Sequence, residues 1–236
     1  MIAEITFLIA FLLVVIPYII QHANDQKLLS TVTHKHRGNR AERKMVLKLL
    51  KAKYSPQAIF HDLYLNHTKG NFTQIDILLA TKVGIIVFEI KDYSGWIYGS
   101  GHGKYWTQVL SYGNNKYRFY NPILQNRRHV DNLKSMLNQF ENIPFYSVIV
   151  FYGDCEFKTM IELPDNTFIC KRYSVLSVVD DIVSNNKPAP YGNKKEIIKL
   201  LSDAVKNGED SKVKDQHIRN VKDMLSKKVN LNGRYS

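Results

Sequence analysis

The sequence predicts an α/β fold: a helix, a three-stranded meander, a second helix and a further strand, behind an apolar N-terminal helix. Three observations carry this. Ile75–Lys91 reads as two alternating strands about a tight turn at Lys82–Gly84. Apolar stripes at helical spacing flank it, with Met45, Val46, Leu49 and Leu50 before and Val130, Leu133, Leu137 and Phe140 after. Phe145–Phe151 is almost wholly apolar, as in a strand buried on both faces. Helices alternating with strands in this way belong to the α/β class.

Residues 5–20 form an uncharged run that, with the residues ahead of it, reaches the roughly 20 needed to span a bilayer. No basic leader precedes the run, and Ala23 is a weak cleavage site, so an uncleaved anchor over 1–22 is expected. Residues 23–37 read as a basic juxtamembrane linker or helix. Lys27, Lys35, Arg37 and Arg40 follow the anchor, which by the positive-inside rule makes the chain single-pass with its bulk in the cytoplasm. Gly38 then breaks the chain, and Asn39 is placed to cap a helix from about Arg40 to Lys53. Gln57–Asn66 alternates as a strand with one slip, and the Ile75–Lys91 hairpin follows. Gly95–Tyr98 reads as a short strand, and Lys104–Leu110 with Lys116–Tyr120 as a hairpin around Gly113-Asn-Asn115. Asn121-Pro122 opens a helix, which Ile143-Pro144 ends. A strand at Thr167–Cys170, a helix at Ser174–Val183, a linker at Lys187–Gly192, and amphipathic helices at Lys194–Lys206 and Lys212–Lys228 complete the chain. The domain expected over 38–186 is thus followed by a basic helical extension over 187–236.

With 236 residues there is room for one ordinary domain plus appendages. The net charge is +12 and the pI about 9.5. Residues 27–53 carry a surplus of +8, residues 54–186 are neutral, and residues 187–236 carry +6. The basic surplus flanks the core, a pattern that suits nucleic-acid phosphate and an anionic membrane surface equally. Cys155 and Cys170 exclude a disulfide framework and a four-cysteine zinc site, and fit a reducing compartment as buried hydrophobes.

The hairpin carries the chemistry. If Lys82-Val83 is a two-residue loop, facing residues have numbers summing to 165, and Asp76 faces Glu89. Ile75, Ile77 and Leu79 then share one face of the first strand. Opposed carboxylates repel, and a cation between them reverses the sign. Lys91, two residues beyond Glu89, points the same way. A wet face with alternating charges is the plain alternative. Glu42 heads the first helical stripe, either as a partner of the helix dipole or as a site residue. Gln125 and His129 border the second stripe, and His67, His102 and His129 read as surface or border residues without ligand spacing.

Gly38-x-x-Ala41-Glu42, Thr73-Gln-Ile-Asp76, Gly84-Ile-Ile-Val-Phe-Glu-Ile-Lys91-Asp-Tyr-x-Gly95, Trp106-Thr-Gln108 and Tyr120-Asn-Pro-Ile-x-Gln-Asn126 stand in this order. Together they resemble the nuclease-related domain known as NERD, over about Gly38 to Leu137. That family is similar to the PD-(D/E)xK restriction-endonuclease-like superfamily, whose core has the element order read above. The resemblance implies that Glu42 is the first-helix acid and Asp76 the strand acid. Glu89 and Lys91 become the paired acid and lysine, and Gln125 the polar residue of the later helix. It implies a Mg²⁺ cofactor, with Mn²⁺ as substitute, held by Asp76, Glu89 and the Ile90 carbonyl; magnesium takes oxygen ligands and only one or two carboxylates. Lys91 would orient the attacking water or stabilise phosphate charge, Glu42 would hold a water of the metal or Lys91, and Gln125 would position substrate. Ala41 departs from the family, which often has glycine there.

Two classes of function follow. One is a membrane-anchored, metal-dependent nuclease acting on nucleic acid, most simply DNA. The other is a non-catalytic module on the same fold: a binding module whose basic flanks hold nucleic acid or anionic lipid, with steeply salt-dependent binding and no metal requirement, or an interaction domain tethered at the membrane that shows neither.

Overall fold

The computed structural model describes residues 2–68, 71–110, 113, 115–140, 142–159 and 162–220. Two mixed sheets form its frame. The larger has strand order β1-β2-β3-β7-β9, built from β1 (Ile59–Thr68), β2 (Asn71–Thr81), β3 (Gly84–Lys91), β7 (Phe145–Phe151) and β9 (Thr167–Lys171). The first three strands are an antiparallel meander; β7 then runs parallel to β3, and β9 parallel to β7. The crossover from β3 to β7 contains three strands of the smaller sheet, whose order is β6-β5-β4-β8, and the helix α3 (Pro122–Met136); β8 joins that sheet after β7. Its strands are β4 (Gly95–Tyr98), β5 (Tyr105–Leu110), β6 (Asn115–Tyr120) and β8 (Cys155–Phe157). The protein is therefore α/β, with the expected order of helix, meander, helix and strand.

Apolar burial covers both faces of the larger sheet. On one face Ile77, Leu79, Ile86, Phe88 and Ile90 meet α2 (Arg40–Lys51) and α4 (Val175–Asn185). On the other, Leu63, Ile75, Leu78, Ile85 and Val87 meet α3 and α5 (Lys194–Asn207). Val148 and Val150 fill one face of β7 and Ile149 and Phe151 the other, as a strand buried on both sides requires. A third cluster, centred on Trp106 stacked against Phe151, joins the two sheets.

Ile75 does not share a face with Ile77 and Leu79, against the simple alternation expected. The pairs His61↔Ile77 and Leu63↔Ile75 flank a rung, Asp62 with Asp76, that is itself skipped. Asp62 has φ +57°, a conformation an aspartate tolerates better than most residues, and the strand turns its faces over there. The slip in the sequence pattern of this strand is that residue.

Asn39 caps α2 as expected, its side-chain oxygen accepting from the N–H groups of Ala41 and Glu42. Helix α3 stops at Met136, one turn short of Phe140, which packs against the core from beyond the helix end. The N-terminal helix α1 (Ile2–Leu29) is long and apolar enough to cross a membrane, with Phe7, Leu13, Val14 and Tyr18 exposed. Its 28 residues make about 42 Å, more than a bilayer core needs. The polar stretch after Ile20 simply continues the helix, and its end docks on the domain: Leu29 is buried beside α2, and Lys51 Nζ lies 2.7 Å from Asp25 Oδ2. Helix α5, within the segment read as an extension, buries Ile197, Leu201 and Ala204 in the second core cluster. Residues 211–220 are helical; the rest of the expected 212–228 helix, the His67 side chain and the middle of the 113–115 turn lie outside the described residues. Cys155 and Cys170 are free and buried, and burial pushes both thiols up, Cys170 to about 12.

Candidate active site on the second and third strands

The β2–β3 turn is the two-residue loop Lys82-Val83, and its ladder runs Thr81↔Gly84 through Ile77↔Phe88. Each pair sums to 165, so the next rung sets Asp76 opposite Glu89. The ladder itself ends there. The Ile90 N–H instead donates to Asp76 Oδ2 at 2.8 Å, which fixes the aspartate at the strand end.

Glu89 is 1% exposed and sits at the centre of the cluster. Lys91 Nζ lies 2.7 Å from Glu89 Oε1 and donates to Gln125 Oε1 at 3.0 Å. His129 Nε2 is 3.2 Å from Glu89 Oε2, at ion-pair distance, and neither of these buried atoms has a further hydrogen-bond partner. Helix α3 brings Gln125 and His129 to one face because they are four residues apart. Asn121 caps that helix through Ile123 N–H, and Asn126 Nδ2 ties it down to the Val87 carbonyl at 2.8 Å and to Ser147 Oγ at 2.9 Å. Those two bonds decide where Gln125 and His129 land over β3.

Glu42 approaches from the other helix. Its Oε2 lies 3.3 Å from His61 Nε2, and Asn39 Nδ2 donates to its Oε1. His61 Nδ1 is in turn 2.7 Å from Thr33 Oγ1. The partners of the Glu42 carboxylate are thus Asn39 and His61, while Lys91 is engaged by Glu89 and Gln125.

The electrostatics separate the two strand acids. Burial, then the neighbouring Glu89 and Glu42 carboxylates, push the Asp76 carboxyl well above its ordinary value, against the opposing pull of the Ile90 N–H and Lys91. Burial also opposes ionisation of Glu89, but Lys91 and His129 outweigh it and hold that carboxyl below the ordinary range. Burial opposes the charge on Lys91 too; Glu89 and Asp76 overcome it and raise the ammonium above its usual value. Two acids of opposite displacement beside one lysine are a recurring signature of a working site and occur in structural networks as well.

The donor set fits a hard divalent cation. Among the described residues no group of three or more His, Cys, Asp and Glu side chains is placed to hold a metal. Magnesium needs only one or two carboxylates and keeps several waters. Asp76 carries only partly compensated repulsion, and Glu89 Oε2 is a buried carboxylate oxygen with no further hydrogen bond, both of which a cation relieves.

All five sequence-derived side chains thus lie around one strand end: Asp76, Glu89, Lys91 and Gln125 directly, Glu42 through its field on Asp76. Two participants were missed. His129 is buried against Glu89 and is no surface residue; its spacing from Gln125 was the available signal. His61 is buried behind Glu42, and sits next to the strand slip.

Residues 37–152 match the family model described as the nuclease-related domain, NERD. An uncharacterized protein of Bacillus anthracis is 32% identical over 136 residues, which is 55% of this chain and 61% of that relative. The match thus spans about three-fifths of the relative's length. No solved structure matches the chain. The stretch that carries Glu42, Asp76, Glu89, Lys91 and Gln125 is a nuclease-related domain of the NERD family.

Proposed function

We propose that the protein is a membrane-anchored, Mg²⁺-dependent nuclease with a restriction-endonuclease-like core, hydrolysing phosphodiester bonds in nucleic acid, most simply DNA. The observation that carries the reading is the strand end itself. There the repelled Asp76 carboxylate, the buried Glu89 carboxylate bordered by His129 and the Gln125-held Lys91 ammonium converge. Asp76 and Glu89 would hold the metal, with the Ile90 carbonyl as a further ligand. When bound, Mg²⁺ would supply Lewis-acid activation of water and neutralise charge growing on the phosphate.

The remaining work falls to the protein. Lys91 keeps its proton, since Glu89 and Asp76 favour the charged form, and it presents N–H donors to the attacking water or a phosphate oxygen. Gln125 fixes the direction of that ammonium. His129 borders Glu89 on its other side and limits where the carboxylate can swing. Glu42, steadied by Asn39 and His61, contributes negative field behind Asp76 and favours cation entry. Helix α1 would cross the bilayer with the domain in the cytoplasm, on the side of the basic residues that follow it.

The test is cleavage of a DNA and RNA panel by the full chain in detergent. Cleavage should require Mg²⁺, stop with EDTA, and fall by on the order of 10²–10³-fold in Lys91→Ala, the range for one charge-stabilising group. Cleavage that survives both EDTA and Lys91→Ala in a pure preparation would sink the proposal.

A further inference from the structure

The neutrality of residues 54–186 is an average. Residues 93–130 contain five Lys and Arg, nine aromatic residues and no acid at all. The basic surplus is therefore interleaved with the core after all, and the fold gathers much of it on one surface. In the β5–β6 ladder Trp106 pairs with Phe119, and these two rings face the joint between the sheets. The alternate rungs, Tyr105↔Tyr120 and Thr107↔Arg118, therefore face outward. On that face Arg118 lies over the Tyr105 ring at 4.9 Å and Lys104 at 5.7 Å. Tyr105 meets Tyr120 edge-on at 6.3 Å, and Arg128 lies over Tyr120 at 5.2 Å. Lys116 extends the row along the edge strand β6.

This row leads to the candidate active site. Tyr120 is followed directly by the Asn121 cap of α3, and Arg128 is one helical turn from Gln125 and next to His129. We infer that the outer face of β5–β6 binds single-stranded nucleic acid and feeds it toward Asp76, Glu89 and Lys91. The inference rests on the nuclease reading for its destination and on the surface alone for its ligand. Bases stack on tyrosine rings and guanidinium planes whatever their sequence, while lysines neutralise the backbone. A duplex buries its base faces and offers nothing for Tyr105 or Tyr120 to stack on. An anionic bilayer matches the charge but not the side chains. On this face the large apolar residue most exposed is a tyrosine, Tyr98, and the half-buried Trp96 ring lies under Lys158 at 5.0 Å, whereas a membrane-inserting face is built from exposed Leu, Phe and Trp.

The experiment uses the full chain in phosphatidylcholine nanodiscs with EDTA present, so that binding is read without cleavage. Fluorescence anisotropy compares a labelled oligothymidylate with a duplex of mixed sequence across a salt series. The single strand should bind at least about ten-fold more tightly than the duplex. The exposed pair Lys116→Ala/Arg118→Ala should lower the salt slope by about 1.4, twice the single-strand value per contact. Tyr105→Ala should weaken binding by roughly ten-fold or more with the slope unchanged, and circular dichroism checks that each variant is folded. Arg118→Lys, which keeps the charge and loses the plane, should keep the slope and lose affinity. Equal binding of duplex and single strand, or folded variants that bind like wild type, would overturn the inference. So would patch-dependent capture of phosphatidylserine vesicles without oligonucleotide binding. Patch-dependent single-strand binding by a protein that never cleaves would refute the nuclease reading and leave this surface standing.

Discussion

Two aspartates occupy the same skipped rung of the β1–β2 ladder, and their surroundings are opposite. Asp62 on β1 is fully buried and fully partnered. Arg37 Nε lies 3.3 Å from its Oδ2, Arg37 Nη2 donates to its backbone carbonyl at 2.6 Å, and Gln74 Nε2 donates to its Oδ1 at 2.8 Å. Asp76 on β2 has one backbone N–H and the charge of Lys91 set against burial and two carboxylates, and is pushed toward its protonated form. The first aspartate is neutralised by the protein's own cation and fixes the fold. The second is only partly compensated at the same level of the sheet, where a cation from outside can take it. Removing the internal partner should therefore cost stability, and removing the external one's ligand should cost activity.

The largest effect expected is on the Asp62 side. Arg37 is 6% exposed, and besides Asp62 it donates to the Val205 carbonyl at 2.9 Å, so it joins the segment before α2 to β1 and α5. Arg37→Ala leaves Asp62 buried without a cation, which costs about 3–5 kcal/mol. Chemical denaturation of the full chain in detergent measures this. A loss below about 1 kcal/mol would break the comparison, because Asp62 would then need no internal cation.

On the Asp76 side the sign is reversed. Asp76→Asn should lower cleavage by on the order of 10²–10³-fold while stabilising the metal-free protein at neutral pH. A carboxyl raised in the fold binds more protons folded than unfolded above its ordinary value of 3.8. Wild-type stability from this group is thus greatest below that value and is lost as pH rises through the folded pKa. The variant should lack that decline, so the two denaturation midpoints should diverge as pH climbs. Added Mg²⁺ should stabilise wild type by mass action and leave the variant unmoved. A metal response of equal size in both would remove Asp76 from the ligand set.

Much of this was legible in the chain. The hairpin register followed from one assumption about the Lys82-Val83 loop, because side-chain alternation permits few alternatives once a turn is fixed. The helix caps at Asn39 and Asn121 were legible for a similar local reason. The face switch at Asp62 was visible only as a slip, since a single left-handed residue changes the facing of its neighbours without changing composition. The engagement of Arg37 escaped entirely: it read as one more basic residue after an apolar run, and its partners are 25 and 168 residues away. His129 escaped because a histidine beside a stripe is ambiguous until something says what the stripe packs against. The second sheet's outer face was hidden by averaging charge over a long segment.

The smallest of the three effects tests the link between the two aspartates. Gly38 has φ +64°, and a Cβ there would stand 2.3 Å from His61 Nε2 and 2.4 Å from Glu42 Oε2. It directly follows Arg37, while Glu42 supplies part of the field on Asp76. Gly38→Ala should cost about 1–3 kcal/mol from the left-handed backbone alone. The collision with the His61–Glu42 pair adds a displacement that backbone strain does not produce. If Glu42 moves away, its repulsion of Asp76 weakens, and the pH at which the variant's stability declines should fall below that of wild type, toward the ordinary carboxylate range. Gly38→Ala/Glu42→Gln separates the two contributions, because it removes the charge whether or not the side chain has moved. A single variant whose pH profile matches wild type, despite its lower stability, would show that Glu42 does not act on Asp76 across this gap. The two aspartates would then be independent neighbours on one rung.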